Sequence, residues 1–211
     1  MRLPVILFIA ALLTVLTHGM GLPTDAAQGI SPARQTLEVS VSRVLALIKN
    51  PDYVNPATRE PLLQKIEDEV LHIFDFDEFS SRTVGPRWTQ FNADQQKRFA
   101  DAFADLLIAT YVRKIDGYNG EQITYMGETS QGGKIQVETV VTMKDGKKIP
   151  VAYRMLEKNG KWRVYDVLVE SVSLVKNYRT QFQGILTGSS PDELITRVKA
   201  KAQEARNLHA K

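Results

Sequence analysis

An α+β fold with one antiparallel sheet is the class this sequence predicts, and three observations predict it. Apolar residues recur at helical spacing up to about residue 117, alternate over residues 121–169, and return to helical spacing afterwards. Gly132-Gly133, Asp145-Gly146 and Asn159-Gly160 cut the alternating stretch into four runs, and such pairs suit tight hairpin turns. No internal repeat or low-complexity linker interrupts the chain, so the helices at both ends are expected to pack on one sheet.

In chain order, Leu37, Val41, Val44, Leu45 and Ile48 share one face of a helix within residues 31–50. The two prolines of "NPDYVNP" break it. Leu62, Leu63, Ile66, Val70, Ile73 and Phe74 mark a second helix. Asp75, with Glu78 three residues on, is a capping arrangement for a short third helix that Gly85-Pro86 ends. "NADQQKRFADAFADLLIATYVRKIDG" is the clearest helix. Asn92 and Gln95 form its capping box, Phe99, Phe103, Leu106, Leu107 and Tyr111 its apolar face, and Gly117 its left-handed end.

The strands follow as "EQITYM", "KIQVETVV", "IPVAYRML" and "KWRVYDVLV". Ile135, Val137, Thr139 and Val141 point one way, and Val151, Tyr153 and Met155 do the same on the next strand. If alternation holds, Asp166 shares a face with Trp162 and Val164 and needs a partner there. Ser171 or Ser173 caps the next helix, with Leu174, Val175, Tyr178, Phe182, Ile185 and Leu186 on its apolar side. Ser190, Pro191 and Glu193 open the last helix with a second capping box.

Residues 1–26 read as a secretory signal peptide: Arg2, an apolar run over residues 3–16, then small residues ending at Ala26-Ala27. The run is short against the roughly 20 residues that a bilayer span needs. Residues 27–211 then form a single domain. Cysteine is absent, which suits an oxidising compartment and excludes thiol catalysis and thiolate metal sites. The net charge is +3, with acids and bases interspersed, so nucleic acid is not an expected partner.

Nothing points to catalysis. Of the three histidines only His72 lies in the folded body, and it reads as a partly buried helix residue without a nucleophile beside it. Asp75, Asp77 and Glu78 lack the spacing of a calcium loop and read as helix-start acids. "GETSQGGKI" lacks the Lys-Ser/Thr end of a phosphate loop, and it sits between strands. No cofactor and no enzyme activity is expected. A protein that holds something apolar, or another protein, fits best.

"KWRVYDVLVESVSLVKNYRTQF" resembles the signature of the MlaC family, toluene-tolerance phospholipid-binding proteins of the Gram-negative periplasm. Trp162, Val164, Tyr165, Asp166, Val167, Val172, Ser173, Leu174, Asn177, Tyr178, Arg179 and Phe182 carry the likeness. "FDFDEFSSRTVGPRW" and "QQKRFADAFADLLIATYVRKIDGYNGEQITY" are similar to the family's middle section, and Ser171 stands where the family usually has Gly. The resemblance implies a curved sheet like a nuclear-transport-factor cone, wrapped by helices, with a deep apolar cavity for lipid tails. It also implies a periplasmic carrier moving phospholipid between inner and outer membranes and so maintaining outer-membrane asymmetry. Its partners would be an inner-membrane ABC transporter with an MCE subunit and an outer-membrane lipoprotein–porin complex.

The tail contacts it implies are Phe99, Phe103, Leu106, Leu107 and Tyr111 from the long helix, and Ile123 and Tyr125 from the first strand. Val137, Thr139, Val141, Val151, Tyr153, Met155, Trp162 and Val164 come from the other strands, and Val175, Tyr178 and Phe182 from the following helix. The apolar stripes alone would equally suit a solid core. An isoprenoid-lipid carrier and a ligand-free adaptor are the alternatives.

Overall fold

The computed structural model describes residues 29–113, 115 and 118–208. The expected signal peptide and the turn at Gly117 lie outside the described residues. Six α-helices are described: α1 (Pro32–Ile48), α2 (Arg59–Ile73), α3 (Phe76–Val84), α4 (Ala93–Leu107), α5 (Leu174–Leu186) and α6 (Pro191–Asn207). The strands are β1 (Gln122–Gln131), β2 (Lys134–Thr142), β3 (Lys148–Lys158), β4 (Lys161–Val169) and β5 (Val172–Ser173). They form one antiparallel meander in the order β1-β2-β3-β4-β5.

The sheet therefore has five strands where the sequence suggested four. The extra strand is two residues long, too short to show a period. It pairs back on β4 through a turn whose central residues, Glu170 and Ser171, sit at φ 49° and 67°. That left-handed pair is the geometry of a two-residue hairpin loop, normally supplied by Asn-Gly or Gly-Gly. The first strand also runs five residues beyond "EQITYM", to Gln131, with its register shifting between Tyr125 and Gly127.

Capping follows the sequence closely. Ser31 accepts from the Arg34 N–H, and Asp75 from the Glu78 N–H at 2.9 Å. Asn92 and Gln95 form the full reciprocal box. Ser173, not Ser171, caps α5, accepting from the Lys176 N–H at 3.1 Å. Ser190 caps α6, but the Glu193 carboxylate turns to Arg197 at 2.6 Å instead of closing the box. Past Leu107 the helical path widens into a π turn over Ile108–Val112.

Helices α1 and α2 lie across the inner face of the sheet. The end of α2 is tied to β4, where the Asp75 N–H donates to the Val164 carbonyl at 2.9 Å. α3 and α5 pack on each other and on β4, and α4 pairs with α6 behind them. His72 is exposed, not partly buried. Glu67 of α2 is buried, with its carboxylate 2.8 Å from Arg113 Nε.

Candidate functional site

The inner face of the sheet is built by alternation. Val137, Thr139 and Val141 on β2, Ile149, Val151, Tyr153 and Met155 on β3, and Val164 and Val167 on β4 are all buried. Leu37, Val41 and Val44 of α1 and Val70 and Ile73 of α2 stand with Tyr153 around a shared space of about 20 Å³. That is room for about one water and far too little for an acyl chain. Val137, Val141, Met155 and Val164 have 0% of their surface accessible, so no water-sized space adjoins them. The layer between sheet and helices is closed at these positions. The Thr139 hydroxyl donates to the Val151 carbonyl at 2.8 Å.

The second half of the interior is aromatic. Phe99 and Phe103 of α4 lie 5.8 Å apart, and Phe79 of α3 stacks on Phe103 at 5.5 Å. Phe74, Trp88 and Phe91 extend the cluster at either end. Tyr178 and Phe182 of α5 meet it edge-on, with centroids 4.9 Å and 5.2 Å from Phe103 and Phe182 5.4 Å from Phe99. Tyr178 also hydrogen-bonds Tyr111, and burial raises its phenol pKa well above the usual value. The far side of Tyr178 and Phe182 forms part of a groove of about 500 Å³ between α4, α5 and α6, shared with Leu106, Ile185 and Val198.

The expected tail contacts thus separate into two groups within one continuous core. The sheet group faces α1 and α2. The helix group of Phe99, Phe103, Tyr178 and Phe182 comes together in the aromatic cluster, with Leu106 and Tyr111 at its border and Leu107 buried nearby. Ile123 is buried on β1. Tyr125 and Trp162 are half-buried, Tyr125 beneath the Arg34 guanidinium at 5.2 Å from its ring centre. Val175 stands apart, lining a polar pocket with Arg82 and Arg154. Phe79, Phe74 and the α1 residues opposite Tyr153 are interior positions the expected set lacks, although the helical stripes of Phe74 and of α1 pointed to burial.

Asp166 corrects the alternation argument. The β3–β4 register shifts next to Arg154 and Met155: Met155 pairs with Val164 and Arg154 with Asp166, leaving Tyr165 as the extra residue. Asp166 is therefore turned to the face opposite Trp162 and Val164. Only 2% exposed, it accepts from the Ser173 hydroxyl at 2.7 Å, the Val175 N–H at 3.1 Å and Arg154 Nη1 at 3.1 Å. One carboxylate thereby fastens β5 and the start of α5 to the sheet.

The family model for MlaC protein matches residues 38–200. The chain belongs to the MlaC family. Two curated relatives are similar in sequence. One is the intermembrane phospholipid transport system binding protein MlaC of Haemophilus influenzae, 24% identical over 74% of this chain and 72% of that one. The other is toluene tolerance protein ttg2D of Pseudomonas putida, 28% identical over 47% of this chain and 46% of that one. In structure, the chain resembles the phospholipid-binding protein from Ralstonia solanacearum solved in complex with a phospholipid. The TM-score is 0.72 at 22% identity, covering 82% of this chain and 98% of that one. MlaC membership makes the two apolar groups, and α5 between groove and cluster, the candidate lipid-handling parts of the molecule.

Among the described residues no group of acids and histidines could hold a metal, and no helix is long and apolar enough to cross a membrane. Asp75 and Asp77, read from sequence as helix-start acids, face Lys158 at 2.8 Å and 3.9 Å.

Proposed function

We propose that this protein is a periplasmic carrier that holds one phospholipid and moves it between the inner and outer membranes, serving outer-membrane lipid asymmetry. Its donors and acceptors would be an inner-membrane ABC transporter with an MCE subunit and an outer-membrane lipoprotein–porin complex. The names of the relatives support the cargo and the transport role. The observation that carries the reading onto this chain is the apolar layer between the sheet and the helices, continuous from Val141 through Tyr153 to Phe103 and Phe182.

Two acyl chains of about 14 methylenes each would cost on the order of 20 kcal/mol if left in water. A surface groove covers too little of them, so the layer itself has to part to admit the tails, giving the cone and deep cavity that the family resemblance implies. The candidate moving part is α5. Tyr178 and Phe182 are the wall between the α4–α5–α6 groove and the aromatic interior, so withdrawing them joins the two.

The close packing of Val137, Val141 and Met155 is also what a ligand-free adaptor would show. Solvent extraction of the purified protein followed by mass spectrometry separates these readings. About one diacyl lipid per chain is expected. An isoprenoid lipid in its place would revise the cargo, and no lipid from a host with a normal envelope would favour the adaptor.

A further inference from the structure

We propose that the outer side of the sheet carries an anion site built for a phosphate group, on the face turned away from the apolar layer. A pocket of about 510 Å³ opens where the β1–β2 hairpin, β3, β4, α3 and α5 converge. Its charged lining is Arg82, Lys134, Arg154, Lys176, Arg179 and a single carboxylate, Asp166. Two of these cations are matched. Arg82 pairs with Glu78 at 2.5 Å and lies over the Tyr165 ring at 4.3 Å, and Arg154 pairs with Asp166 at 3.1 Å.

The other three are not. No carboxylate among the described residues forms an ion pair with Lys134, Lys176 or Arg179. Together they bring three positive charges without a carboxylate partner to the lining of one concavity. Asp166 does not offset them, because its charge is balanced by Arg154.

The donors also converge from separate elements. Lys134 comes from the start of β2, and Lys176 and Arg179 from one side of α5. Arg179 is held in place by Nε and Nη2 bonds to the Arg82 carbonyl, which leave Nη1 uncommitted. A fixed guanidinium with two exposed ammonium groups suits a compact tetrahedral anion, and like charges held together this way favour an anion between them. An acidic protein surface fits less well, since these cations line a concavity and do not stand out from it. The phosphate could belong to a lipid headgroup or to a free phosphate ion, which share this chemistry. The inference goes beyond the carrier reading and stands without it.

The side chains of Lys134 and Lys176 are exposed and make no hydrogen bond or ion pair among the described residues, so the double variant Lys134→Gln/Lys176→Gln should fold normally. Inorganic phosphate titrated into the full chain at low ionic strength, followed by calorimetry, is the first arm. The second arm loads the protein from phosphatidylglycerol vesicles and reads the phosphorus resonance of the bound lipid. Each lost charge near 4 Å from the anion should weaken binding about five-fold, so the double variant should lose about 25-fold.

Saturable phosphate binding lost in the double variant supports the site with a free anion as its source. No phosphate binding, but a lipid phosphorus resonance that moves in the double variant, supports the site with the headgroup as its source. Phosphate binding that survives both substitutions, or silence in both arms, overturns the proposal. A protein that binds phosphate through these lysines yet yields no lipid on extraction would sink the carrier reading alone.

Discussion

Ser171 holds a left-handed backbone, φ 67°, that costs a side chain about 1–2 kcal/mol relative to Gly. Part of that is returned by the lower entropy of a non-glycine residue in the unfolded chain. Ser171→Gly should therefore stabilise the protein by about 0.5–1 kcal/mol, seen as a higher urea midpoint at unchanged slope. Asp166→Asn should do the reverse. The amide turns a donor toward Arg154, Ser173 or the Val175 N–H, and leaving such groups unmatched costs about 1–3 kcal/mol.

Glu67 gives a pH signature. Burial raises its pKa above 4.5, outweighing the nearby Arg113. The unfolded carboxyl therefore ionises first as pH rises, and the folded state binds more protons across the window from 4.5 up to the raised value. Stability from this group falls through that window. Glu67→Gln should accordingly compare better with the wild type at pH 7 than at pH 4 in urea melts.

At the level of elements, α5 is held by two different devices. Its first turn is fastened by Asp166 and Ser173, and its middle by the edge-on contacts of Tyr178 and Phe182 with Phe99 and Phe103. Phe182→Ala should destabilise by about 3–5 kcal/mol and should speed lipid release, measured as transfer to acceptor vesicles. Unchanged release would place the moving part elsewhere. The stripe that marks α5 was readable from sequence, as were all six helices, the four long strands and their turns. Its fastening was not. β5 is too short to have a period, and Glu170-Ser171 does not have the composition of the turn it makes. The bulge at Tyr165 changes which face Asp166 takes, and alternation counts residues without sensing an extra one. The tail-contact positions were recognisable as buried. Whether they enclose space is a matter of interlocking volumes between elements far apart in sequence, which no stripe encodes.

For the whole molecule, the closed layer around Val151 makes a strong test. Val151→Glu places a charge among apolar side chains, which is costly unless the group reaches water. If the sheet and helices can part, the variant should keep its circular dichroism and purify without lipid. Failure to fold would mark the layer as permanently shut. The strand order carries a different consequence, for how the molecule comes into being. Each strand pairs only with its neighbour in sequence, so the sheet can zip together through short loop closures. α1 and α2, by contrast, are made first and must wait for partners nearly a hundred residues downstream, because they cover a sheet that begins at Gln122. Until then they can cover each other only in part, and the sides that meet the sheet stay bare. In refolding experiments the hairpins should acquire hydrogen-exchange protection before the N-terminal helices do. In the cell, the interval before the sheet arrives is when this chain most needs a chaperone.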